Sequence, residues 1–162
     1  MHDTTYIGLV DFVEKNPDKK ELSHFITTVI DHIFQTEYVA VVDRPITPVT
    51  VYAGHKSKAS LGVRGVWDTG SRTSCISERL VKKLDLQCAN TMYCITANGP
   101  LERPCYYVDI QISDEILFEN LLVIGYPLEN HDCDVLIGMD IISKGKLTID
   151  STDGKTKISF VT

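Results

Sequence analysis

The apolar pattern of this chain changes period once, near residue 37, and that change limits what it can fold into. Before it, Leu22, Phe25, Ile26, Val29, Ile30, Ile33 and Phe34 fall at i, i+3, i+4, i+7, i+8, i+11 and i+12. That spacing predicts one continuous apolar stripe on a helix of about five turns. Asn16-Pro17 starts it, with Asn as the cap and Pro at the first helical position. Tyr6, Leu9, Val10 and Val13 repeat the spacing more briefly, so residues 1–37 read as an αα-hairpin whose stripes need a surface to pack on. From residue 38 onward the apolar residues come in short runs separated by turn chemistry. Segments 38–42, 49–53, 61–67, 92–96, 105–112, 116–124, 133–137, 147–150 and 156–161 read as strands. Ala97-Asn98-Gly99-Pro100 and Ser151-Thr152-Asp153-Gly154 supply hairpin turns. Residues 77–86 read as a short helix, with Ser77 as cap and Leu80, Val81 and Leu84 on one face. Residues 38–162 are therefore expected to form a compact, strand-rich barrel with one or two short helices.

Composition narrows the function classes. With 162 residues, 43% hydrophobic and 23% charged, the chain is an ordinary one-domain length with enough apolar residues for a core. A net charge of −6 disfavours a nucleic-acid partner. The longest apolar runs, 121–125 and 135–138, fall far short of the ~20 residues that cross a bilayer, so no membrane association is expected. Residues 1–11 carry two Asp and no Lys or Arg, unlike a secretory signal. The five cysteines are odd in number and contain no CxxC pair. They read as reduced thiols in a reducing, cytoplasmic compartment, with no metal site. Cys94 and Cys105 flank one proposed hairpin, where they are placed to face each other.

The chemistry concentrates in Val66-Trp67-Asp68-Thr69-Gly70-Ser71. Two apolar residues end a strand, an acid follows, then a hydroxyl, a glycine and a second hydroxyl. Gly70 permits a sharp turn, and the short donors and turn amides hold one carboxylate at a fixed geometry. One carboxylate cannot act as acid and base at once, whereas two sharing a proton can. The chain has one such turn, so the second Asp68 is expected from a second copy across a two-fold axis. A chance tetrapeptide of this kind is common enough to carry little by itself. Its weight comes from Asp134-Val135-Leu136-Ile137-Gly138-Met139-Asp140, about seventy residues further on.

Together these two segments resemble the retropepsin-like aspartic proteases, which include the retroviral and retrotransposon enzymes and the protease-like domain of DNA-damage-inducible proteins. The resemblance covers about residues 45–162. It implies a mainly β, closed acid-protease barrel with a short helix after the second apolar-Gly motif, here preceded by the N-terminal αα-hairpin. It implies an aspartic endopeptidase that acts on polypeptides as a homodimer, with no cofactor and no metal. Residue by residue, it makes Asp68 the catalytic carboxylate. It has Thr69 hydrogen-bonding across the dimer axis, Gly70 offering its backbone to substrate and carboxylate, and Ser71 supporting the acid. Leu136, Ile137 and Gly138 match the strand that supports the catalytic turn, with Met139-Asp140 and a helix at 141–144 after it. A substrate-covering flap falls on Ile95, Thr96, Ala97, Asn98 and Gly99. Arg72 is expected to pair with Asp140 or to shape a substrate pocket. Two other readings are weighed against this one: a catalytically silent binding or scaffold module on the same barrel, and a phosphate or metal hydrolase. The latter lacks further carboxylates near Asp68.

Overall fold

A computed structural model describes residues 32–54, 59–96, 99–128 and 132–162, without the side chain of Thr96. The αα-hairpin expected over residues 1–37 lies outside the described residues up to Asp31, as does the tip Ala97-Asn98. His32–Thr162 form one compact unit.

The unit is built from ten strands and two short helices among the described residues. In chain order these are β1 (Ile33–Glu37), β2 (Ile46–Tyr52), β3 (Ser60–Trp67), β4 (Cys75–Ser77), α1 (Glu78–Lys83), β5 (Asn90–Thr96), β6 (Gly99–Ser113), β7 (Ile116–Tyr126), β8 (Val135–Ile137), α2 (Met139–Ile142), β9 (Lys146–Asp150) and β10 (Lys157–Val161). Strands β2, β3, β8, β4, β7 and β6 follow one another in hydrogen-bonded order, and β6 returns to β2 through Thr50↔Gln111 and Val51↔Ile110. The sheet thus closes into a six-stranded barrel, with β5 added outside as an edge. Closure leaves fewer open edges and lets both faces of alternating strands be used. A second sheet, in the order β1-β10-β9, packs its inner face on the barrel through Ile158 and Phe160, both fully buried.

The core follows from strand alternation. Val49 and Val51 of β2, Ile76 of β4, Val108 and Ile110 of β6, Val123 of β7 and Val135 and Ile137 of β8 all point inward and are almost fully buried. Trp67, the last residue of β3, joins them at 4% exposure. Its ring lies 5.0 Å from that of Phe160, and its indole N–H donates to Thr47 Oγ1 at 2.8 Å. A Trp in a barrel interior needs such a partner for its polar atom. The short helix α1 is capped as its sequence predicts: Ser77 Oγ accepts from the Leu80 N–H at 3.0 Å. The same hydroxyl donates to Asp134 Oδ1 at 2.6 Å, fixing α1 to the segment that leads into β8.

Three local expectations are corrected. Ile33 and Phe34, read as the end of the helical stripe, form a strand. β1 pairs with β10 through Ile33↔Val161 and Phe34↔Phe160, and this long-range ladder overrides the local period. The β-rich part of the chain therefore begins before residue 38. Residues 38–42 are irregular instead of extended. Tyr38 turns its hydroxyl across the bend, accepting from the Ile46 N–H at 2.7 Å and donating to the Ile46 carbonyl, while Val39 stands 94% exposed. Finally, Cys94 and Cys105 do not face each other. In the β5–β6 ladder Cys94 opposes Leu101, and Cys105 opposes Asn90.

Candidate active site

β3 delivers Asp68. The strand runs parallel to β8 with Gly65↔Val135, Val66↔Leu136 and Trp67↔Ile137 in register. The ladder continues one step past the strand end, where the Asp68 N–H donates to the Ile137 carbonyl at 2.9 Å. Because Trp67 points into the core, Asp68 emerges on the opposite side, half-buried, with Thr69 and Gly70 exposed beside it. The chain then turns. The Gly70 N–H donates to Asp68 Oδ1 at 2.9 Å, and the Ser71 N–H to the Asp68 carbonyl at 3.2 Å. One carboxylate oxygen is thus held by the turn.

Ile137 and Gly138 support this turn from behind. A Cβ on Gly138 would come within 2.8 Å of the Thr73 carbonyl carbon, 2.9 Å of Ser74 N and 3.0 Å of Ser71 O, all backbone atoms. Only glycine lets the two segments lie this close. The Met139 N–H donates to the Ser71 carbonyl at 2.8 Å. Leu136 turns the other way from its neighbours Val135 and Ile137. It packs with Cys75, Cys105, Ile124, Met92 and Cys94 in an apolar cluster on the outer face of the barrel sheet. Burial is the main reason the Cys75 thiol is pushed up to about 12; nearby Cys94, Asp140 and Asp68 raise it further, against a hydrogen bond with Ser71. That thiol remains neutral and is not a nucleophile.

The β5–β6 hairpin rises from this cluster. Its last pairing with the barrel is Cys105↔Ile124, and from there to its tip its two strands pair only with each other. Met92 and Cys94 face the cluster, whereas Tyr93 and Ile95 are 77% and 93% exposed. At its root the Arg103 guanidinium lies 4.9 Å from the centre of the Tyr126 ring and 3.6 Å from Glu78.

Of the residues singled out from the sequence, Asp68, Gly70, Ser71, Ile137 and Gly138 come together in one constellation. Thr69 lies exposed at its rim. Ser71 supports the acid through its backbone; its hydroxyl donates to the Thr73 carbonyl at 2.7 Å. Ile95 and Gly99 sit on the hairpin, away from Asp68 in the chain. The expected Arg72–Asp140 pair is absent among the described residues. Asp140 instead accepts from the Ser74 hydroxyl at 2.7 Å and the Ser74 N–H at 3.0 Å, and Arg72 is exposed. Sequence reading missed Ser74, which has no local signal because its partner lies 66 residues away. It also missed Thr47, whose hydroxyl turns Trp67 inward.

A family model described as retroviral aspartyl protease matches residues 50–160. Among curated protein sequences none matches significantly. Among solved structures, a retropepsin-like aspartic protease from Rickettsia conorii is similar with a TM-score of 0.50 and 13% identity, over 81% of this chain and 94% of that one. The EIAV protease bound to an inhibitor matches with a TM-score of 0.47 and 18% identity, over 64% of this chain and 89% of that one. The retroviral protease-like domain of Ddi1 from Leishmania major matches with a TM-score of 0.43 and 16% identity, over 68% and 83%.

Proposed function

The chain belongs to the retroviral aspartyl protease family, and from that premise we propose that it is an aspartic endopeptidase active as a homodimer. Each subunit contributes Asp68. The two carboxylates meet at the two-fold axis and share one proton, because like charges that close do not both ionise. The ionised member takes a proton from water, which attacks the peptide carbonyl. The protonated member donates to the carbonyl oxygen. A tetrahedral intermediate collapses with the proton passed to the leaving amine, and no covalent adduct forms. The observation that carries this reading is the half-buried Asp68 on its stitched turn, with one oxygen fixed by the Gly70 N–H and Thr69 and Gly70 exposed beside it. The β5–β6 hairpin serves as the flap. It excludes water and orients the peptide. The inward-turned Trp67 removes an obstacle at the axis. The five cysteines are all unpaired thiols, consistent with work in a reducing, cytoplasmic compartment.

The test is cleavage of a degenerate peptide library, read by mass spectrometry from mildly acidic to neutral pH, for wild type and Asp68→Asn. Cuts made by wild type and abolished in a folded Asp68→Asn variant are the expected result. Cuts that persist in Asp68→Asn overturn the assignment. No cuts by a folded, dimeric wild type favour the silent binding module instead.

A further inference from the structure

Resting on that protease reading, we propose that Ser74 and Asp140 form a positioning clamp that holds the Asp68 carboxylate in its reactive geometry. The loop 68–74 is pinned to segment 137–141 along its whole length. Its near end is fixed by the Asp68 N–H on the Ile137 carbonyl at 2.9 Å, and its middle by the Met139 N–H on the Ser71 carbonyl at 2.8 Å. Its far end is tied to that segment by the clamp, beside the Ile124 N–H that donates to the Ser74 carbonyl at 3.0 Å. The Ser74 N–H donates to Asp140 Oδ2 at 3.0 Å, and the Ser74 hydroxyl donates to Oδ1 at 2.7 Å. That hydroxyl also accepts from the Gly138 N–H at 3.0 Å, and Oδ1 accepts from the Ile141 N–H at 3.1 Å. Ser74 is fully buried. Water therefore offers no substitute partner, and both Ser74 donors depend on the Asp140 carboxylate.

The physical consequence concerns placement more than burial. Asp68 lies six residues before Ser74, at the other end of the same loop. Freeing the far end lets 71–74 swing, which loosens the Ser71 contact with Met139 and the Gly70 N–H that orients the carboxylate. A misplacement of about 1 Å at a reacting group is enough for a ~100-fold loss of rate. Asp140 touches no substrate in this scheme. It acts through Ser74, and its carboxylate is matched to two donors on one residue, which an Arg72 partner would have left unpaired.

The experiment compares Asp140→Ala, Asp140→Asn, Ser74→Ala and the Ser74→Ala/Asp140→Ala double variant in the full chain. Two readouts are used: steady-state cleavage of a peptide that wild type cuts, and native-state hydrogen exchange. Asp140→Ala is expected to lower kcat about 10–100-fold with KM within about twofold. Asp140→Asn keeps a carbonyl for the Ser74 N–H and recovers most of the rate. The double variant is no slower than the slower single, because the pair acts as a unit. In exchange, the Gly70 and Ser71 amides of folded Asp140→Ala are expected to speed up about tenfold more than those of Val108 and Ile110 in the barrel. Exchange that is unchanged at Gly70 and Ser71, or accelerated equally throughout, overturns the clamp. So does a rise in KM at constant kcat. If wild type cuts no peptide, the protease reading fails and the exchange result alone decides whether the clamp holds the loop.

Discussion

The loop 68–74 and the β5–β6 hairpin border the same apolar cluster and are built in opposite ways. Residues 68–74 are covered on one side by segment 137–141 and hydrogen-bonded to it at Asp68, Ser71 and Ser74. The hairpin beyond Cys105 has no strand ladder to the barrel among the described residues and leaves Tyr93 and Ile95 almost bare. The first arrangement suits a group that must not move. The second suits a cover that must, since segments with few buried contacts open at low free-energy cost. The seam between them is Cys75, Ile124, Leu136, Met92 and Cys94, which gives the hairpin an apolar rest without a ladder.

Four changes put this contrast at risk, the first three taken from the largest effect to the smallest. Gly138→Ala forces a methyl into the Thr73–Ser74 backbone. It is expected to cost about 1–3 kcal/mol of stability and to remove nearly all cleavage, measured by thermal unfolding and peptide turnover. Retained activity would mean that the loop has slack. Arg103→Ala removes the ring contact with Tyr126 at the hairpin root. A loss near 0.5–1 kcal/mol is expected, with KM raised several-fold and kcat nearly kept. An equal fall in kcat would mean that the root also positions the acid. Tyr93→Ala with Ile95→Ala should leave the unfolding midpoint within about 0.5 kcal/mol per site, since neither side chain is buried. A larger drop would show these residues covered in the assembled protein. The last change is read against pH and concerns the seam. Burial raises the Cys75 thiol from 9.0 to about 12, so between those pH values the unfolded thiol ionises while the folded one does not. That contribution to stability is complete below pH 9 and is lost as pH rises toward 12. Urea midpoints at pH 8 and pH 10.5 should differ less in Cys75→Ala than in wild type.

Much of the barrel was legible because its signals are local. The strands read at 61–67 and 116–124, the Ser77 cap and the apolar-Gly segment at 135–138 each announce themselves within a few residues. The turn 68–71 did so too, since a Gly two residues after an acid allows its amide to reach back to that acid. Ile33 and Phe34 misled because they continue a helical spacing, and nothing nearby reveals that Val161 and Phe160 await them in a ladder. Arg72 and Asp140 looked like a pair by charge alone. The structure prefers Ser74 because two donors on one buried residue match a carboxylate better than a solvated guanidinium does.

The sequence by itself determined the alternation that makes the strands and the turn that presents Asp68, since both depend on neighbours a few bonds away. Only the tertiary structure decided that Trp67 faces inward against Phe160 and Thr47, that the chain from Ile33 joins the C-terminal strand, and that Asp140 closes on Ser74. Each of those outcomes needs a partner tens of residues distant. A hydrogen bond or ring contact forms only where the closed barrel brings the two together, and the identity of either residue alone does not say which partner that will be.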